Sequence, residues 1–189
     1  MCYKKFDSRK NFLDAEQHCR NEGGHLARIS SDAENELVGA IGGDGMFWIG
    51  LWSGETTKCY RDSNRWVWTD GTPSTGFNRW GNAKSGQKHN PPDCWDGEGG
   101  LSQGMGAIFN YPYQNNRWED TSIVNRMPFV CGKSAAKLGK GDALAIKSLF
   151  RNKIILLVSY VCKVYRKFIN RDSIVLEHFI YEYASCTDR

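Results

Sequence analysis

The first 133 residues predict an α+β domain rather than a wound βαβ fold, on three observations. Capped helical patterning is confined there to about residues 8–41. Short β-prone segments separated by long Gly, Asn and Pro loops follow it. All seven tryptophans (Trp48, Trp52, Trp66, Trp68, Trp80, Trp95 and Trp118) lie in that second part. An indole buries a large apolar area and carries one N–H that needs a partner. Their density therefore marks a packed core, a ligand platform, or both.

In chain order, Tyr3–Phe6 is a short strand candidate. A helix is expected from Ser8 or Asn11 to Asn21, with Phe12, Ala15 and Cys19 on one face and Gly23-Gly24 as its stop. Ser31-Asp32-Ala33-Glu34 has the form of a capping box and opens a second helix to about Ile41. Its expected apolar stripe is Ala33, Leu37, Ala40 and Ile41, and Gly42-Gly43-Asp44-Gly45 ends it. Strands are expected at Phe47–Leu51, at Arg65–Thr69 with an Asp70-Gly71 turn, at Ala107–Phe109 and at Phe129–Cys131.

The chain of 189 residues can hold one domain plus an extension. Residues 2–133 hold every Trp and 18 of the 20 Gly, and residues 134–189 turn to Ile, Leu, Val, Tyr and Phe. The segment from Lys133 to Lys140 reads as the boundary. The extension carries 10 Lys+Arg against 5 Asp+Glu, leaving 15 against 16 in the front part. A front part that is not basic argues against nucleic acid as a partner. In the extension, Ile146, Phe150, Ile154, Leu157, Val161, Val164 and Phe168 make a basic amphipathic helix candidate that could lie on a membrane surface, dock on the domain, or be foreign to the mature protein. It is too short to span: its longest uncharged run, Ile154–Cys162, is nine residues against about 20 needed.

Seven cysteines point to an oxidising compartment, and their odd number means that at least one is unpaired, pairs between chains, or has lost its partner. Met1-Cys2-Tyr3 opens without an apolar leader, which is expected of a fragment or an incomplete N-terminus. Asp14 and His18 share a helix face and read as a surface pair. No nucleophile–base, zinc or phosphate-loop spacing occurs, so catalysis is not expected.

The ordered set Tyr3, Phe6, Ala15, Cys19, Gly23-Gly24, Leu26-Ala27, Ile29-Ser30, Glu34, Val38, Trp48-Ile49-Gly50-Leu51, Trp66, Trp68, Asp70-Gly71, Pro73, Asn78, Trp80, Trp118, Asp120 and Phe129-Val130-Cys131 resembles the C-type lectin-like domain over about residues 2–133. The resemblance implies a long-range disulfide, Cys19–Cys131. It also implies a partner for Cys2 upstream of Met1. The family's second framework bridge would join a position near Ala107 to Ile123, and neither is Cys. Cys59 and Cys94 remain, and we infer a replacement bridge between them, with two free thiols as the alternative.

Sugar-binding members of that family hold calcium with a Glu-Pro-Asn or Gln-Pro-Asp triplet in the long loop and with an Asn-Asp pair after the last Trp. Here the pair is Glu119-Asp120. The triplet falls near Glu98-Gly99-Gly100, or on Lys84-Ser85-Gly86 if aligned on Cys94. Asn90-Pro91-Pro92-Asp93 has a triplet's composition but stands too close to Cys94. The resemblance thus implies a calcium set of Asp96, Glu98, Glu119 and Asp120, or solvated loop acids, and a carbohydrate site of Glu98, Trp118, Glu119 and Asp120. Trp80, Trp95 or Trp118 would stack on a sugar ring. A second calcium position would use Glu34, but Gly132 stands where its other acid is expected. The implied role is extracellular recognition of a glycan or glycoprotein. The alternative is calcium-independent recognition of a protein.

Overall fold

A computed structural model describes residues 1–74, 76–82, 90–94, 104–110 and 116–134. Residues 135–189 of the extension candidate, Trp95, Asp96 and Glu98 lie outside these residues. The described elements are β1 (Cys2–Lys10), α1 (Phe12–Asn21), β2 (His25–Leu26), α2 (Asp32–Gly42), β3 (Phe47–Trp52), β4 (Val67–Trp68), β5 (Met105–Phe109), β6 (Trp118–Ser122) and β7 (Met127–Lys133). The order in the sheet is β1-β7-β3-β5-β6, with β2 on β7 and β4 on β3.

Both helices start where the sequence places them. Asn11 caps α1 by accepting the Asp14 N–H at 2.8 Å. Ser31 caps α2 by accepting the Glu34 N–H at 3.2 Å. The return half of the box is displaced by one residue, since Glu34 accepts from the N–H and hydroxyl of Ser30. α1 buries Phe12, Ala15 and Cys19 as expected, with Glu16 as well. α2 uses only part of the Ala33, Leu37, Ala40 and Ile41 stripe: Ile41 packs on the core and Leu37 is half-buried, while Ala33 and Ala40 are exposed. Its fully buried residues are Asn35, Val38, Gly39 and Gly42. A Cβ on Gly42 would lie 2.0 Å from the Phe47 ring, so glycine lets the helix close on β3 beside the core packing of Val38 and Ile41.

The sheet separates two clusters. Phe12, Ala15, Cys19, Leu26, Trp48, Ile108, Ile123 and Phe129 pack with α1. Trp66, Trp68, Trp80 and Trp118 pack with Phe47, Ile49, Leu51, Phe109 and Val130 on the other side. Gly50 of the Trp-Ile-Gly-Leu segment has a steric reason: a Cβ there would stand 2.6 Å from the Leu26 carbonyl oxygen. Its N–H donates to the Ala27 carbonyl at 2.9 Å.

Strands run longer than the sequence motifs at β1 and β7 and shorter at β4, where residues 63–65 form a 3₁₀ turn. Cys19–Cys131 ties α1 to β7, closing a separation of 112 residues. In the chain-entropy picture such a loop contributes roughly 4–5 kcal/mol. Cys2, at the start of β1, is buried and disulfide-bonded. His18 is not a surface partner of Asp14. Its ring is half-buried, with centroids 4.5 Å from Phe6 and 5.2 Å from Phe129.

The place of the missing framework bridge shifts with the register. Met105 pairs with Ser122, and the Ile123 N–H donates to the Gly104 carbonyl at 3.1 Å. Gly104, not Ala107, is therefore opposite Ile123. A Cβ at Gly104 would meet the Glu55 carbonyl oxygen at 2.2 Å and Ile123 Cδ1 at 3.1 Å, so the close approach of the 53–56 loop occupies the space a cysteine would need.

Candidate functional site

The candidate site is assembled where β6 meets the loops carrying Cys59 and Cys94. These two cysteines are bridged, with Cα atoms 5.7 Å apart. The pairing inferred for them is present in the structure.

The first loop is held at Tyr60. Its hydroxyl donates to the Glu55 carboxylate, the Arg65 guanidinium lies 3.5 Å over its ring, and its carbonyl accepts the Trp66 indole N–H at 2.7 Å. The Tyr60 bond also holds the Glu55 carboxyl below its ordinary range. Fixing Tyr60 fixes its neighbours, Cys59 and Arg61. Cys59 reaches Cys94, and Arg61 Nε donates to the Asp93 carbonyl at 3.1 Å.

The second loop is the segment 90–94, in which Pro91, Pro92, Asp93 and Cys94 are all buried. The backbone N–H groups of Asp93 and Cys94 donate to Oδ1 and Oδ2 of Asp120, at 2.9 and 2.8 Å. Asp120 thus receives one donor on each carboxylate oxygen and keeps lone pairs for another contact.

Asp93, Glu119 and Asp120 are each no more than 8% exposed. One carboxylate oxygen from each lies within 4.8 Å of the others. Burial is the largest influence on Asp120 and raises its carboxyl to about 6. The Asp93 charge adds to the rise, and the two backbone donors oppose it. A second grouping, Cys59, Cys94 and Asp120, has its sulfurs committed to the disulfide and offers no thiolate.

The three carboxylates suit a hard divalent cation. Calcium takes oxygen ligands at 2.3–2.6 Å, so oxygens up to about 5 Å apart can share one ion. Three acids supply part of the six to eight oxygens such an ion takes.

The expected site residues are divided by the structure. Glu119 and Asp120 come together. Asp96, Glu98 and Trp95 lie outside the described residues. Trp118 is 0% exposed, donates its indole N–H to Asn35 Oδ1 at 2.9 Å, and meets the Trp68, Phe77 and Trp80 rings edge-on. No face of its ring is open to a sugar here, so it belongs to the core. Trp80 is 8% exposed and packs against Trp66. Asp93, set aside on spacing grounds, is the acid that joins the pair on β6. The signal that could have found it is the acid at the end of Asn90-Pro91-Pro92-Asp93, beside a cysteine whose bridge turns it inward.

The model of the Lectin C-type domain matches residues 8–133. The versican core protein of Rattus norvegicus is 28% identical over 167 residues, 86% of this chain and 5% of that protein. The chain therefore spans about one-twentieth of the length of that relative. The mouse scavenger receptor C-type lectin carbohydrate-recognition domain superposes with a TM-score of 0.51 at 29% identity, over 70% of this chain and 88% of that one. A calcium-independent type II antifreeze protein superposes with a TM-score of 0.53 at 26% identity, over 70% of this chain and 85% of that one. With the α+β architecture, the Cys19–Cys131 bridge and the aromatic core in place, the chain belongs to the C-type lectin domain family.

Proposed function

We propose that this domain is an extracellular carbohydrate-recognition module that holds its glycan or glycoprotein ligand with the help of calcium. The observation that carries this reading is the buried convergence of Asp93, Glu119 and Asp120 at the β6 loop junction. Three ionised carboxylates in a desolvated site repel one another unless protons or a cation offset them. Bound calcium would supply open coordination positions for hydroxyl oxygens. The protein's own part is to keep Asp120 oriented through its two backbone donors, to hold Asp93 beside it, and to back the site with the Trp118 core. The disulfides fit an oxidising compartment, and among the described residues no helix is long and apolar enough to cross a membrane. We read the domain as a binding module, not an enzyme.

A glycan array probed with and without chelator tests this. The reading expects glycan signal that the chelator removes and that Asp120→Ala lacks. Absence of glycan signal in both conditions would sink it.

A second reading, calcium-independent recognition of a protein, is favoured by one observation. Both oxygens of Asp120 already accept backbone donors, so the carboxylate has a structural role without any ion. The similarity to a calcium-independent antifreeze protein is consistent with that use of the scaffold. It expects no metal response and a fold that depends on Asp120.

A further inference from the structure

We propose that Arg61, acting with the neighbouring Cys59–Cys94 bridge, is the positioning residue that seats the Asp93-Cys94 backbone on the Asp120 carboxylate and thereby sets the strength of cation binding. The inference rests on the calcium reading above for its functional consequence, and on geometry alone for the clamp.

Segment 90–94 is gripped from two sides. From β6, Asp120 accepts the N–H groups of Asp93 and Cys94. From the other side, Cys59 holds Cys94 covalently and Arg61 donates to the Asp93 carbonyl. The two grips share the Asp93-Cys94 pair, so the peptide is fixed at its N–H and its C=O at once. Tyr60, between the gripping residues, is held by Glu55, Arg65 and Trp66. The clamp is therefore mounted on a fixed point rather than on a swinging loop. Since one acid of the cluster is Asp93 itself, the clamp determines whether the third carboxylate stands with the other two.

Charge alone makes the opposite forecast, which gives the proposal its edge. A guanidinium near a cation site repels the incoming ion, so a purely electrostatic role for Arg61 requires tighter calcium binding once it is removed. A positioning role requires weaker binding. Arg61 is exposed, so its truncation leaves the core untouched.

The experiment measures two quantities on the full chain and on Arg61→Ala and Arg61→Lys. One is amide exchange by NMR at Asp93 and Cys94 in chelator. The other is calcium affinity by calorimetry. Arg61→Ala should speed exchange at both amides and weaken calcium by roughly three- to tenfold, the worth of one hydrogen bond. Arg61→Lys, which keeps a donor, should recover part of both, and the melting temperature in chelator should fall by no more than a few degrees, as the loss of one hydrogen bond implies. Unchanged exchange, or faster exchange with calcium affinity unchanged or tightened, overturns the proposal. If the parent chain shows no calcium response but exchange still accelerates in Arg61→Ala, the clamp stands and the calcium reading fails.

Discussion

Asp93 donates its backbone N–H to Oδ1 of Asp120 at 2.9 Å, across 27 residues of sequence. The bond makes one acid of the cluster a support for another, so the charge of Asp120 and the position of the 90–94 loop cannot be changed independently. Replacing Asp120 by Ala removes a carboxylate and leaves two buried N–H groups, on Asp93 and Cys94, without their acceptor. Unsatisfied buried donors cost about 1–3 kcal/mol each. Asp120→Ala is expected to lower stability by about 2–4 kcal/mol in chelator at about pH 4, where the carboxyl carries no buried-charge penalty, read by urea denaturation. Asp120→Asn, which keeps one acceptor, should lose about half of that.

The pH dependence of the metal-free protein follows from the same carboxyl. Asp120 is raised from 3.8 to about 6 in the folded chain. Between those values the folded state holds a proton that the unfolded state releases. Its contribution to stability is therefore greatest below about pH 4 and is lost as pH rises through about 6. A shift of this size corresponds to about 3 kcal/mol. In chelator, the stability of the parent relative to Asp120→Asn should fall between pH 4 and pH 7, measured by denaturation at each pH. A difference that stays flat contradicts the burial argument.

Trp118 and Asn35 form a buried polar link in the core. The indole N–H donates to Asn35 Oδ1, and Asn35 Nδ2 donates to the Asn116 carbonyl at 3.0 Å. Asn35→Leu strands both partners and should cost about 2–4 kcal/mol. Trp118→Ala should cost about 3–5 kcal/mol, as large core truncations do. Thermal melts in chelator would show both losses without any ligand, marking Trp118 as core. A Trp118→Ala chain with parental stability would contradict that placement.

The framework bridge absent here cannot simply be reinstated. Gly104→Cys with Ile123→Cys sets a Cβ 2.2 Å from the Glu55 carbonyl. Overpacking of this kind typically costs about 1–3 kcal/mol. The double variant should melt below the parent under oxidising conditions. A gain in melting temperature would mean that the 53–56 loop yields.

Much of this fold is legible in the residues because it is set by local rules. Asn11 and Ser31 cap their helices through side chains three residues from the donors they accept. The Trp-Ile-Gly-Leu strand, Cys19 and Cys131 are likewise recognisable as an ordered pattern. What was not legible depends on contacts between distant segments. The buried face of α2 is read only in part from hydropathy, because Gly42 admits the Phe47 ring and Asn35 serves Trp118 while Ile41 does pack on the core. The displacement of the missing bridge from Ala107 to Gly104 is a matter of register, which counting along one strand does not provide. Asp93 is discounted by its distance from Cys94 along the chain, yet the Cys59–Cys94 bridge and the Asp120 carboxylate bring it to the acids. Glu119 and Asp120 were legible because they follow Trp118 directly on one strand.

The central claim is that Asp93, Glu119 and Asp120 together hold a cation. Calorimetric titration of calcium into the chelator-treated full chain, beside Asp93→Asn and Glu119→Gln, tests it most directly. The account predicts saturable binding at one site in the parent and at least about tenfold weaker binding in each variant, as befits loss of one charged ligand. No heat of binding in the parent, or affinity unaltered by both substitutions, would contradict it.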